Sequence, residues 1–253
     1  MNLAFVLLAD ARLPKDSDIV DAFVAYAHGE ERLVASADDS TAALGALQFE
    51  LTPGGTVIIA AMDGPVPNRE ADQAAHYSVS AFGTGWELPA HGAHLVVMLR
   101  NMDPAPTVAV LSAFTSFLAA VAKASQSVGI YWGEAGATHD AGFFCGLAAE
   151  PEAGSRMMLW TGLTIGAEAD ERLGLLSLGM KQLALPDLLL VTPRAEANDA
   201  IGTFFELLGY VAALGRPLTE GETVGRSAAE RLPVRYVPSP IDADSRVWRV
   251  ELP

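Results

Sequence analysis

The sequence predicts a mixed α+β fold, in which helices pack on one face of a largely antiparallel sheet. Two observations lead to this prediction. Three stretches of the chain share one order: an apolar strand, a polar turn, an amphipathic helix and a second strand. Hairpin-like pairs of strands lie between these units, whereas a doubly wound sheet would show strict alternation of strands and helices.

The composition fits one compact domain. The chain has 253 residues, of which 51% are hydrophobic and 19% are charged, which is enough for a large core. No Pro-rich or Ser/Gly-rich linker divides it, so we expect a single domain over residues 1–253. The repeated units are compatible with two similar ferredoxin-like halves, at about 1–130 and 131–253.

The first unit begins with the apolar run Leu3–Asp10. A helix is predicted over Asp18–His28 because apolar residues recur there at helical spacing. Arg32–Ala37 is the predicted return strand.

The second unit contains the strand His94–Arg100, a helix from about Pro106 to Ala124 and the strand Val128–Trp132. No charged residue lies between Asp103 and Lys123. The helix is only marginally long enough for a bilayer of about 30 Å and carries several Ser and Thr residues. We therefore favour a buried helix of a soluble protein over a membrane span.

The third unit contains the strand Leu188–Thr192 and a helix over Asn198–Leu214. Gly215 and Pro217 form a strong helix stop signal.

Further strands and one further helix are predicted between and after these units. Pro53-Gly54-Gly55 is a favourable hairpin turn. The remaining predicted strands are Ala46–Leu51, Thr56–Met62, Met157–Ile165, Leu173–Leu178, Glu222–Gly225, Leu232–Val237 and Arg246–Leu252, and the further helix is Arg69–Phe82.

The charge balance and the single cysteine narrow the class of protein. Asp and Glu number 31 against 16 Lys and Arg, a net charge of −15, which disfavours binding to a nucleic-acid backbone. Cys145 is the one cysteine, so no intramolecular disulfide can form. The apolar run at the start lacks a positive leader, and we expect a cytoplasmic protein.

Familiar catalytic and cofactor motifs are absent from the sequence. It contains no Gly-rich phosphate loop, no G-x-S-x-G elbow and no H-E-x-x-H. A single cysteine excludes thiolate zinc sites. We therefore predict no cofactor and no metal site.

One polar loop follows an aromatic strand. Tyr131 and Trp132 precede Gly133 and Glu134, and His139 follows shortly after. Aromatic faces beside a carboxylate and an imidazole could line a pocket, with Glu134 and His139 as general acid and base or as weak metal ligands. The alternative is that the two aromatic side chains pack a sheet face while the charges are solvated.

Two later loops supply further candidate residues. Gly179, Lys181 and Asp187 lie just before the third unit, where Lys181 could pair with a site carboxylate. Glu230 lies in the Gly- and Glu-containing segment that follows the last predicted helix. A turn acceptor is the more common role for an aspartate like Asp187.

These loops also carry a resemblance to a known family. The order Y-W-G (131–133), L-G-M-K-Q (178–182), L-P-D (185–187) and G-E-T-V-G-R-S-A-A-E-R-L-P (221–233) is similar to the bacterial domain-of-unknown-function family 4261. Asp187 stands where the family pattern leads us to expect Glu. The resemblance implies a cytoplasmic bacterial protein and implies no activity, substrate or catalytic residue.

Three functional hypotheses remain. The first is a non-enzymatic binding or interaction protein, such as an immunity-like or regulatory protein. Its acidic surface would help it to capture a basic protein partner. The second is a small-molecule hydrolase or lyase that uses the Glu134/His139 loop. The third, a ligand sensor, would use Tyr131 and Trp132 as a stacking platform. Exposed sheet edges are also compatible with a homodimer.

Overall fold

A computed structural model describes residues 2–36, 45–82, 84–100, 107–152, 154–227 and 229–253. The strands are β1 (Asn2–Leu8), β2 (Arg32–Ala35), β3 (Ala46–Thr52), β4 (Gly55–Asp63), β5 (Ala93–Arg100), β6 (Gly129–Trp132), β7 (Ala137–Asp140), β8 (Gly162–Ala167), β9 (Arg172–Leu178), β10 (Leu188–Pro193), β11 (Thr223–Val224), β12 (Leu232–Pro233), β13 (Arg235–Pro238) and β14 (Arg246–Glu251). The α-helices are α1 (Asp16–Phe23), α2 (Glu70–Ala74), α3 (Val108–Ser125), α4 (Ala141–Ala148), α5 (Met157–Trp160) and α6 (Ala197–Leu214).

The first sheet confirms the predicted antiparallel pattern. Its seven described strands follow the order β2-β3-β4-β5-β1-β6-β7, and every neighbouring pair is antiparallel. The predicted hairpin at Pro53-Gly54-Gly55 joins β3 to β4. The mixed α+β fold is therefore confirmed.

Helix α3 forms the centre of the core. Thr107 begins it as the N-cap, where its side chain accepts a hydrogen bond from the Val110 N–H. Among the described residues it is the one helix long and apolar enough to cross a membrane, and 72% of that window is buried inside the protein. Because it packs on one face of the first sheet with α1 and α4, α3 behaves as a core helix. The predicted start at Pro106 lies outside the described residues.

The second sheet differs from the first. Its described strands follow the order β13-β14-β10-β9-β8, and it contains the parallel pair β10 and β14. Helix α6 packs against β9 and β10. Since the two sheets differ in strand number and pairing, the duplicated ferredoxin-like halves are not confirmed.

Three predicted elements are wrong in detail. Leu232–Val237 is not one strand, because it divides into β12, which pairs with β11, and β13, which pairs with β14 in the second sheet. Arg69–Phe82 is not one helix, because Arg69 has a positive φ of 58° and Ser78 is extended, so the segment breaks into α2 and single 3-10 turns. Met157–Ile165 is not one strand: it starts as α5, and β8 begins only at Gly162. Helix α4, which follows β7 directly, lies in a segment for which no element was predicted.

Candidate functional site

The structure separates the predicted site residues into three environments. Glu134, Gly179, Lys181 and Asp187 line one cleft, which we call the carboxylate cleft. Glu230 lines a second cleft beside α6, which we call the α6 cleft. His139 lies in neither cleft.

His139 is sealed inside the protein on strand β7. Its ring has no exposed surface, and Nδ1 lies 2.6 Å from the Ser78 hydroxyl oxygen. Nε2 lies 3.1 Å from the Leu159 carbonyl oxygen. Burial lowers the pKa of His139 to about 4, so the imidazole is neutral at pH 7 and out of reach of a substrate.

Tyr131 and Trp132 pack the two faces of the first sheet. Trp132 is fully buried and donates from Nε1 to Oε1 of Gln182 at 3.0 Å. Tyr131 stacks on Phe5 with ring centroids 5.5 Å apart. This is the sheet-packing arrangement described as the alternative above, and it leaves neither ring as an open stacking platform.

The carboxylate cleft lies where the two sheets meet. It has a volume of about 400 Å³ and is lined by the turn 133–136, the loop 176–187 and the segment 239–247. Lys181 Nζ lies 3.8 Å from Glu134 Oε2, and the Lys181 side chain is 77% exposed. An ion pair this exposed contributes little to the free energy of unfolding and does not fix the position of either side chain.

Asp187 stabilises the loop in which it lies by hydrogen bonding. Its Oδ1 accepts hydrogen bonds from the Ser177 hydroxyl at 2.8 Å and from the Met180 N–H at 3.1 Å. The Ser177 oxygen in turn accepts from the Leu188 N–H. Burial raises the pKa of Asp187, against these hydrogen bonds. This is the geometry of a turn acceptor, the more common role given for Asp187 in the sequence analysis.

Gly179 allows the two sheets to approach each other. Its φ is 108°, and a Cβ there would lie 2.7 Å from the carbonyl oxygen of Glu134 and 2.9 Å from the Cα of Ala135. Only glycine accommodates both conditions. The residue therefore has a packing role at the wall of the carboxylate cleft.

The α6 cleft lies between α6 and the loop that joins β11 to β12. It has a volume of about 380 Å³, and Leu207 and Val224 supply apolar surface to its lining. Arg226 pairs with Glu230 at its rim, with Nη2 and Oε1 2.5 Å apart. Arg226 lowers the pKa of the Glu230 carboxyl by hydrogen bonding to it.

Two residues of α6 in this cleft were missed by the sequence analysis. Glu206 and Tyr210 are exposed, four residues apart, and both line the cleft. Tyr210 is 55% exposed although it is a large aromatic residue. The signal was present in the sequence, since Tyr210 falls outside the apolar stripe of the helix that contains Phe204, Phe205 and Leu208.

Among the residues that the structure describes, no three His, Cys, Asp or Glu side chains are grouped as metal ligands would be.

Comparison with known proteins finds one family match, which covers the lining of the α6 cleft and the part of the carboxylate cleft that lies after residue 176. No curated protein and no solved structure matches the chain. The Gly179–Asp187 loop and the 221–233 loop both fall inside the one matched stretch, whereas Tyr131 and Trp132 lie before it. Residues 176–251 match the family described as Domain of unknown function (DUF4261), which confirms the resemblance for the motifs at 178–187 and 221–233.

Proposed function

We propose that this protein is a non-enzymatic binding protein, whose α6 cleft receives a basic side chain from a protein partner. The observation that carries the proposal is the pairing of Glu206 with Tyr210 on the exposed side of α6, beside the apolar surface of Leu207 and Val224.

The chemistry of this pair suits a Lys or Arg side chain. Residues four apart on a helix are neighbours on its surface. Glu206 offers a carboxylate and Tyr210 an aromatic face, which together would bind a cation by an ion pair and a cation–π contact. Among the described residues, Glu206 has no ion-pair partner. The nearby guanidinium of Arg226 is held by Glu230.

The apolar part of the cleft suits the aliphatic part of the bound Lys or Arg side chain. Tyr and Arg are enriched at the centres of protein interfaces. Leu207 and Val224 would accept the aliphatic stem of a Lys or Arg, which binds apolar surface while its charged end meets a carboxylate.

The charge of the whole molecule favours the same kind of partner. A net charge of −15 attracts a basic partner over distance and raises the association rate at low ionic strength. The free thiol of Cys145 is compatible with a reducing compartment, and we propose a cytoplasmic location. A regulatory or immunity-like role would use such a surface.

The alternative, a hydrolase or lyase at the Glu134/His139 loop, has less support. His139 is buried and its ring nitrogens are occupied. Glu134 faces Lys181 in a different environment. An acid–base pair must converge on one reacting group, and these two residues do not.

An array of short peptides tests the proposal. Each peptide carries one Lys or Arg between apolar residues, and matched peptides carry Gln or Glu instead. We expect the basic peptides to bind. Glu206→Gln and Tyr210→Leu should each weaken that binding about two- to fivefold, and the double variant about tenfold.

Two exposed residues outside the cleft supply controls. Glu87→Gln makes the same change in net charge as Glu206→Gln, and Tyr77→Leu the same change in side chain as Tyr210→Leu. The proposal is wrong if basic peptides bind no better than Gln or Glu peptides, or if the control variants weaken binding as much as the cleft variants.

A further inference from the structure

One face of the first sheet carries apolar side chains that belong to no core. On β1, β4 and β5, alternate side chains point away from α3, and we call this surface the outer face. Its apolar members are Leu3, Ile58, Ala60, Met62, Val96 and Met98. Within the described part of the chain, none of them belongs to the three hydrophobic clusters. Met62 is 48% exposed.

The strand register places these side chains side by side. Ile58 lies opposite Met98, and Ala60 opposite Val96. Met98 in turn lies opposite Leu3. The segment 66–82 packs against the far end of the sheet, on β7, and its apolar residues join Leu7 and Tyr131. The centre of the outer face, over β4 and β5, therefore forms a continuous apolar patch.

Two charged residues flank this patch symmetrically. Glu50 on β3 and Arg100 on β5 both lie opposite Thr56 of the central strand β4. They are two strand spacings apart, about 10 Å. Among the described residues neither takes part in an ion pair, although Glu50 accepts a hydrogen bond from the Thr56 hydroxyl.

We propose that the outer face is the interface of a homodimer, with its two-fold axis along β4. A two-fold axis in that direction exchanges the positions of β3 and β5. Glu50 of one copy then faces Arg100 of the second copy, and Arg100 faces Glu50. The residues of β4 itself, Ile58 and Ala60, lie on the axis and contact their own counterparts.

The charges favour this axis over the other one in the plane of the face. An axis perpendicular to the strands, through the row of Thr56, would bring Glu50 against Glu50 and Arg100 against Arg100. Like charges placed opposite each other oppose association. The axis along β4 is the arrangement in which Glu50 and Arg100 each meet the opposite charge.

The net negative charge of the molecule favours association through the outer face over association through other surfaces. Each copy has a net charge of −15, so two copies repel each other at most orientations. The outer face is apolar at its centre, and the charges of Glu50 and Arg100 beside that centre are opposite in sign. With four strands and four rows of side chains it offers about 500 Å² per copy, which is at the low end for specific interfaces. We therefore expect a dimer that dissociates on dilution.

Sedimentation measured over a range of protein concentrations tests the dimer. The apparent mass should rise from 26.6 kDa towards twice that value. Glu50→Arg and Arg100→Glu should each raise the dissociation constant about tenfold or more, because each places like charges opposite one another at two symmetric positions. The double variant restores both pairs and should dimerise like the wild type.

A crosslinking experiment tests the direction of the axis. In a Cys145→Ser background, Ile58→Cys lies on the axis and a short bis-maleimide should join two copies. Val34→Cys is a matched control, since it is 62% exposed on β2 and two copies of it would lie about 20 Å apart across the axis. Glu87→Arg controls for the change in net charge.

A mass of one copy at all concentrations would overturn the proposal. So would a dimer that survives both single reversals, one that the double variant fails to restore, or one that crosslinks through position 34 in preference to position 58. The α6 cleft takes no part in these tests, so the two proposals fail independently.

Discussion

The Ser78 hydroxyl donates to Nδ1 of His139, with 2.6 Å between the two atoms, inside a region that water does not reach. The direction of the bond follows from the other ring nitrogen. Nε2 faces the Leu159 carbonyl, which can only accept, so Nε2 carries the proton and Nδ1 accepts. The Ser78 oxygen accepts in turn from the Ser80 N–H. This serine–histidine pair fastens the 3-10 segment to β7 and to helix α5.

We predict that this pair makes stability depend on pH. The pKa of His139 is about 4 in the folded protein, against 6.5 for the unfolded chain. The unfolded state therefore binds the extra proton first as the pH falls. The contribution of the neutral His139 to the free energy of unfolding is therefore present above pH 6.5. It is lost as the pH falls from 6.5 to 4, and the loss amounts to about 3 kcal/mol. Urea unfolding at a series of pH values measures the loss.

His139→Gln separates this effect from other acid-sensitive groups. The variant is less stable at pH 7, but its stability should fall less between pH 6.5 and 4 than that of the wild type. Equal slopes for the two proteins over that interval would show that His139 does not titrate as expected.

A second prediction concerns the buried ion pair of Arg156 and Glu31. Arg156 Nη1 lies 3.8 Å from Glu31 Oε1, and its Nη2 donates to the Ala148 carbonyl at the end of α4 at 2.7 Å. The Ser112 hydroxyl of α3 also donates to Glu31. Arg156→Met should cost about 3–5 kcal/mol of unfolding free energy, since it leaves Glu31 buried and uncompensated.

A double-mutant cycle completes this test. Arg156→Met together with Glu31→Gln should cost less than the sum of the single changes, by about 1 kcal/mol or more. Arg69→Met is the control, because Arg69 makes an exposed pair with Asp72 and its loss should barely change stability. Additive single effects would mean that the two buried charges do not interact.

The regular elements were predictable because their signals are local. Gly215 ends α6 in the left-handed conformation, and the hairpin at Pro53-Gly54-Gly55 forms as its composition indicates. The broken segment 67–82 was not predictable from periodicity. There Ser78 leaves the helix to reach His139, which is 61 residues further along the chain.

The candidate site was only partly predictable for the same reason. Glu134, Gly179, Lys181 and Asp187 do share one cleft, because each follows or precedes a strand end at the meeting of the two sheets. The burial of His139 could not be predicted from the residues next to it in the sequence. It depends on α4, which continues directly from β7 through the N-cap Asp140, whose side chain accepts from the Phe143 N–H.

A third prediction addresses Asp187. Asp187→Asn retains an oxygen that can accept from Ser177 and Met180, and it removes a buried charge. Because burial raises the pKa of Asp187, the folded carboxyl holds its proton to a higher pH than the unfolded one. Its contribution to stability is therefore lost as the pH rises through the folded pKa. We expect Asp187→Asn to be neutral or stabilising at pH 7.

Asp187→Ala provides the contrast. It removes the acceptor and leaves two donors of the loop unpaired, which should cost about 1–3 kcal/mol. Thermal unfolding of both variants distinguishes the outcomes. If Asn were as destabilising as Ala, the charge of Asp187 rather than its acceptor oxygen would hold the loop.

A fourth prediction compares two glycines at the contact between the sheets. Gly179 and Gly136 both have positive φ, 108° and 58°. A Cβ at Gly136 would meet nothing within 4 Å, whereas one at Gly179 would collide with the backbone of Glu134 and Ala135. Gly136→Ala should cost about 1 kcal/mol, from conformational strain alone.

Gly179→Ala should cost clearly more, about 2 kcal/mol or above, because the backbone of a neighbouring turn has to move as well. Chemical unfolding gives both values, and the Gly136 variant corrects for the shared strain of a positive φ. The displaced turn carries Glu134, so Gly179→Ala should also widen the carboxylate cleft. Equal costs at the two positions would show that the turn yields freely and that the sheets are not held together there.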